Sequence, residues 1–262
     1  MRSLVRLLSA AALAALMCAP AAAQAPLRVL LLTGGGYHDY PAQKDILADG
    51  ITDRVSARVT IDDEAGASSG HRISRHNNPD WLKDFDVVVY NICFADVRDN
   101  AWSEAIVRAH VAAKVPAVVL HCTMHSYNYR GDSPIWSRFL GVRTQRHQRQ
   151  MPFTVEAVDA KHPIMADLPT PWRTPHGELY EILEVYPTAK VLAQAYGEES
   201  KKNQPTVWIN EFEGVRVFGT TIGHHNETMR TTQYLDLVTA GLLWAVNRLD
   251  DSGKPLNGHG VH

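Results

Sequence analysis

The run Leu27-Arg28-Val29-Leu30-Leu31-Leu32 is apolar at nearly every position. A strand with one wet face alternates polar and apolar residues, so a short unbroken run marks a strand covered on both faces. Two more such runs follow, Asp86-Val87-Val88-Val89-Tyr90-Asn91 and Pro116-Ala117-Val118-Val119-Leu120, and Ala57 to Ile61 fits a further strand. Between them, Asp39 and Pro41 suit the start of a helix running through Ile46 to about Ile51, and Asn100 suits the cap of a helix over 101–113. Residues 63–80 hold Gly66, Gly70, Asn77, Asn78 and Pro79 and read as a loop. Strands alternating with helices predict a parallel sheet between helical layers, with strand 27–32 at or near its middle.

The second half changes character. Phe153, Val155 and Ala157 alternate with polar residues, as on a half-solvated strand, and Val207 to Ile209 and Val215 to Val217 flank a hairpin-like Glu213-Gly214. Leu235, Val238, Leu242, Ala245 and Leu249 recur at helical spacing. The expectation is one domain over 24–249, with an antiparallel addition in its second half and a disordered tail over 250–262.

Residues 1–23 place Arg2 and Arg6 before an apolar run from Leu7 to Met17, followed by Ala21-Ala22-Ala23. This is the pattern of a secretory signal peptide, and it predicts a secreted or periplasmic protein cleaved near Ala23. With 26 basic and 28 acidic residues the chain lacks the basic excess that nucleic acid demands. No run after the leader approaches the length of about 20 apolar residues that spans a membrane, so stable insertion is not expected. Cys93 and Cys122 each end an apolar run, where buried free thiols are the expectation and a bridge the alternative.

In an open parallel sheet, ligands bind beyond the carboxyl ends of the strands. Here those ends are Thr33–His38, Asn91–Ala95 and His121–Tyr129, rich in glycine, histidine and aromatic residues. Of the 13 histidines, His38, His121, His125, His176, His224 and His225 lie beside strand ends or glycines. His110 reads as a helix-surface residue, His147 points either way along its strand, and His71, His76, His162, His259 and His262 fall in turns, loops or the tail. His121 and His125 have the spacing of a helical zinc motif, yet Cys122-Thr123-Met124 between them contains no glutamate. Cys122 lacks the small neighbours of a nucleophile elbow, since Leu120 and Met124 occupy those positions.

The order of several short motifs resembles the ThuA-like, or trehalose-utilisation, family. These are TGGGYHDY after the first strand, Val118-Val119-Leu120-His121, Lys161-His162-Pro163-Ile164, Glu178-Leu179-Tyr180, Pro205 to Trp208, and Gly223-His224 before a helix ending in Leu243-Trp244-Ala245. The resemblance implies a three-layer α/β sandwich of the flavodoxin-like, class I glutamine amidotransferase-like kind, without the amidotransferase cysteine elbow. It implies a role in carbohydrate utilisation, and it makes His38, His121, Glu178 and His224 the recurring polar positions, with Tyr180 following the glutamate.

Three functional readings follow. The first is a sugar-modifying enzyme of hydrolase or lyase type acting on a disaccharide or keto-sugar. In it His38, Glu178 and His224 are the catalytic residues, while Gly35, Tyr37, Asn91, Tyr129, Tyr180 and Asn226 bind substrate. Tyr127 and Trp172 offer further stacking surfaces, and Asn128 a further hydrogen bond. His121, His224 and Glu178 would ligate a divalent transition metal, zinc-like in its ligand preference, because zinc accepts imidazole and carboxylate in an open site. The second reading is a carbohydrate-binding protein without catalysis. The third is a cysteine-dependent amidase using Cys122. The sequence defines no oligomeric state.

Overall fold

The computed structural model describes residues 24–66, 68–127, 134–256 and 258–261. The leader over 1–23, together with Asn128 and Tyr129, lies outside them.

Four parallel strands, β1 (Leu27–Gly35), β2 (Ala57–Ala65), β3 (Val87–Cys93) and β4 (Ala117–Leu120), open the chain. They are separated by helices α1 (Tyr40–Thr52) and α2 (Asn100–Ala113). After α3 (Pro134–Leu140) come β5 (Val142–His147), β6 (Thr154–Ala157), β7 (Trp172–Arg173) and β8 (Tyr180–Val185). Then follow β9 (Ala189–Gly197), β10 (Lys202–Phe212), β11 (Val215–Thr220), α4 (Asn226–Met229) and α5 (Thr232–Ala245).

A nine-stranded sheet has the order β2-β1-β3-β4-β11-β10-β9-β6-β7. Its first five strands are parallel, and β10, β9, β6 and β7 extend it antiparallel. The strands β5 and β8 form a separate antiparallel ladder. The fold is the expected α/β sandwich, with one correction: β1 lies next to the edge strand β2, because the antiparallel strands lengthen the sheet only on the other side.

The unbroken apolar runs have their explanation in the layers. Along β1, Val29 and Leu31 join the core that contains Leu47 of α1 and Leu237 and Leu242 of α5. Their neighbours Leu30 and Leu32 join the opposite core with Ile106 and Val107 of α2 and Trp136 of α3. Side chains alternate across a strand, so a strand between two helical layers needs an apolar residue at every step. At roughly 1.5–3 kcal/mol for each fully buried aliphatic side chain, such strands carry much of the driving force for folding.

The details differ from the reading of the sequence in several places. Asp99 rather than Asn100 caps α2, accepting a hydrogen bond from the Trp102 amide at 3.1 Å. The strand β2 continues to Ala65, into the expected loop. Trp172 and Tyr127 are buried in the cores, so neither offers a stacking surface. His110 is buried, with Tyr90 Oη 2.8 Å from its Nε2 and the Val115 carbonyl 2.6 Å from its Nδ1. The segment after Leu249 folds back on the domain: Leu249 bridges to Pro255, Gly260 bridges to Val55, and the Ser56 amide donates to the His259 carbonyl at 2.9 Å. Glycine, proline and asparagine there make turns against a surface, which composition alone reads as disorder.

Candidate metal centre

Four parallel strands, β1, β3, β4 and β11, end on one rim, and the loops leaving β1, β4 and β11 carry His38, His121 and His224. The Thr33-Gly34-Gly35-Gly36-Tyr37-His38 segment turns sharply from β1 into α1, whose first turn is capped by Asp39. Gly35 has φ +107°, and a Cβ there would stand 2.3 Å from the Cys93 carbonyl oxygen of the neighbouring strand. Only glycine lets the backbone pass so close to β3. Gly35 therefore shapes the turn. His121, the residue after β4, has φ +42°, an uncommon conformation for a residue with a side chain.

These turns, with the segment entering β8 that carries Glu178, bring His38, His121, Glu178 and His224 together, with one ligand atom from each lying within 4.8 Å of all the others. His121 Nδ1 donates to the Thr221 carbonyl at 2.6 Å, which leaves the lone pair of Nε2 directed into the cluster. From that atom, Glu178 Oε2 is 3.3 Å away, His224 Nδ1 3.2 Å and Tyr180 Oη 3.4 Å. His224 Nδ1 is also 3.2 Å from Glu178 Oε2. His38 Nδ1 faces the Gly36 carbonyl at 3.2 Å and Tyr40 Oη at 3.1 Å, while its Nε2 is buried without a hydrogen-bond partner. Lone pairs thus converge on a space where His224 Nδ1 and the Tyr180 hydroxyl offer the few protons.

Protonation fits the same picture. Burial pushes His38 down to about 2, reinforced by His121 and His224, and burial pushes His125 down to about 3. Burial also lowers His121, against the opposing pull of Glu178. For Glu178 burial raises the pKa, yet the facing imidazoles of His121 and His224 outweigh it and hold the carboxyl well below the usual range. An ionised Glu178 beside imidazoles of His38 and His121 that resist protonation is the state in which these groups ligate a cation. Three imidazoles and one carboxylate suit a divalent transition metal of the zinc type, and the orphaned Nε2 of His38 is the atom such an ion would satisfy.

A cleft of about 410 Å³ opens over the cluster, lined among others by Tyr37, His125, His147, Gln150, Glu178 and Tyr180. Tyr37 is 73% exposed at its lip. The Tyr180 ring is buried and stacks on His125, 4.2 Å between centroids. Asn91 does not line this cleft. It is 3% exposed, and its amide donates to Gln43 Oε1 at 3.1 Å, while Gln43 in turn donates to the His224 carbonyl at 3.1 Å. That chain positions His224 and replaces the substrate contact expected of Asn91. Asn226 borders an adjoining shallow pocket and donates to Asp39 Oδ2 at 2.7 Å. His176 and His225 stack on each other, 3.7 Å apart, beside His224.

Two residues of the site were not singled out in the sequence. His147 Nδ1 lies 3.3 Å from Glu178 Oε1 and 2.9 Å from the Gln148 carbonyl. Gln150 Nε2 lies 3.2 Å from Glu178 Oε1 and 3.1 Å from His224 Nε2. The register of β5 against β8, which pairs His147 with Tyr180, carries the first of them to the site.

Cys93 and Cys122 are not free thiols but bonded to each other, with Cα atoms 5.0 Å apart. Cys93 ends β3 and Cys122 lies two residues beyond β4, so the pairing of these strands sets them side by side. With its sulfur bonded, Cys122 is no nucleophile, and the amidase reading falls.

Residues 28–245 match the ThuA family, described as trehalose utilisation. No curated protein matches the chain. Among solved structures, a ThuA-like protein of Parabacteroides merdae superposes with a TM-score of 0.67 at 19% identity, covering 90% of this chain and 97% of that one. A ThuA-like protein of Bacteroides uniformis gives 0.62 at 18% identity, covering 90% and 98%. A cytoplasmic protein of Salmonella typhimurium gives 0.56 at 11% identity, covering 84% and 99%. At these identities the structures speak for the fold, and the sequence match speaks for the family. The chain belongs to the ThuA, or trehalose-utilisation, family and carries a candidate metal-binding cluster of three histidines and a glutamate.

Proposed function

We propose that the protein is an exported enzyme of hydrolase or lyase type that acts on a disaccharide or keto-sugar with the help of one divalent transition metal. The observation that carries this reading is the set of ligand atoms from His38, His121, Glu178 and His224, mutually within 4.8 Å at the floor of an open cleft. A metal held there would polarise a substrate carbonyl or hydroxyl oxygen.

The chain's own groups supply the rest. Glu178 stays ionised and offers Oε2 to the cluster, while its Oε1 is engaged by Gln150 and His147. His147 faces two acceptors through Nδ1, which leaves Nε2 as the ring nitrogen that can take a substrate proton. Tyr37 at the lip offers an aromatic face to a pyranose ring. Export is supported by the Arg2, Arg6 and Ala21-Ala22-Ala23 pattern and by the Cys93–Cys122 bond, which belongs in an oxidising compartment.

The test is turnover of a panel of disaccharides and their keto derivatives by protein stripped with chelator and by protein reloaded with zinc, cobalt or manganese. Activity that returns with metal, and that is lost in Glu178→Gln, is the expected result. Sugar binding without turnover under every metal condition would leave a binding protein instead.

A further inference from the structure

A second group of ligand atoms overlaps the first. One ligand nitrogen of His38 and the sulfurs of Cys93 and Cys122 also lie mutually within 4.8 Å. Both cysteines line the same cleft, Cys93 1% and Cys122 6% exposed, so the bond faces the cleft. Tyr40 packs against the pair, and its hydroxyl lies 3.1 Å from His38 Nδ1. That Nε2 is buried and partnerless, and its single lone pair can serve one cation at a time.

We propose that Cys93, Cys122 and His38 form a second, redox-gated cation site that competes with the His121, Glu178 and His224 cluster for His38. With the disulfide closed, His38 Nε2 belongs to the three-residue cluster. A dithiol reductant opens it by thiol–disulfide exchange: the Cys93–Cys122 bond gains two electrons and two protons, and the reductant leaves as its own disulfide. Two thiols then stand on adjacent strand ends, and each releases its proton on binding the cation. Two thiolates and one imidazole with an open position are a ligand set that zinc accepts, and thiolates also favour copper(I). The inference shares His38 with the proposed function but does not depend on turnover.

Cobalt(II) titration of the full mature chain under argon tests it, in the oxidised form and after dithiol reduction and removal of the reductant. Oxidised protein should bind cobalt without sulfur-to-cobalt charge-transfer absorption, and Glu178→Gln should abolish that binding. Reduced protein should show the charge-transfer band, which Glu178→Gln leaves in place. Cys93→Ser, Cys122→Ser or alkylation of both thiols should remove the band. His38→Ala should weaken cobalt binding by the reduced form about tenfold or more, by the scale of changes around a metal site. A reduced protein with two titratable thiols and no charge-transfer band would overturn the proposal. So would a band whose cobalt affinity ignores His38→Ala, or a disulfide that dithiol leaves closed in the folded chain. Failure of oxidised protein to bind cobalt would instead count against the proposed function.

Discussion

His121 Nε2 and Glu178 Oε2 face each other at 3.3 Å from side chains that are almost wholly shielded from water. The imidazole proton is committed to the Thr221 carbonyl on the far side of the ring, so a lone pair meets a carboxylate. Two acceptors buried this close are costly unless a donor or a cation lies between them. His224 Nδ1, 3.2 Å from both, is the main donor available to them.

Loss of a ligand should therefore weaken metal binding without unfolding the chain. His224→Ala and Glu178→Gln are expected to lower zinc affinity at least a hundredfold, and Gln150→Ala or Gln43→Ala about ten- to a hundredfold, as is typical of outer partners. Calorimetric titration reads the affinity, and circular dichroism checks the fold.

Gly35→Ala should destabilise the protein by about 1–3 kcal/mol or more, the usual scale for a residue forced into a conformation it avoids. Its Cβ would press on the Cys93 carbonyl oxygen at 2.3 Å, so the β1 turn must shift and carry His38 with it. Denaturant unfolding and zinc titration of the same variant should worsen together.

The half-buried His76 and the buried His110 should make the protein acid-labile. Burial lowers His76 to about 3 and His110 to about 4, so between about pH 6.5 and those values the unfolded chain binds protons that the native chain refuses. Stability is thus fully present above about pH 6.5 and falls as pH drops, by up to about 1.4 kcal/mol per pH unit for each histidine. His110→Gln should make the acid limb of a stability–pH curve shallower by one proton's worth, apart from its general cost.

Removing residues 250–262 should lower stability by about 1–3 kcal/mol, since the amide of Ser56 loses its acceptor and buried His259 leaves its seat. A thermal scan of the shortened chain checks this, and an unchanged melting temperature would mean the segment contributes nothing.

Much of this architecture is written in local sequence. Val29 and Leu31 against one layer and Leu30 and Leu32 against the other require an unbroken apolar run, and that run is visible by eye. His38 and His121 follow such runs, so the rim of a parallel sheet was their expected place. The placement of Glu178 and His224 rests mainly on the family resemblance, because the connections of the second half cannot be read from periodicity. His147 escaped for a sharper reason. The ladder of β5 with β8 shifts register between Arg143 and Thr144 and again between Thr144 and Arg146. Each bulge resets which residues share a face, so alternation along 142–147 does not say where His147 points. The Cys93–Cys122 bond escaped because it depends on β3 and β4 being neighbours, and sequence separation carries no such information.

The most direct measurement is elemental analysis of oxidised protein purified without chelators, followed by zinc titration of the wild type beside Glu178→Gln and His121→Ala. The cluster account predicts about one zinc-type ion per wild-type chain, with the titrated affinity falling at least a hundredfold in both variants while their folds persist. A folded wild-type chain that takes up no divalent metal, or variants that bind it as tightly as the wild type, would contradict the account.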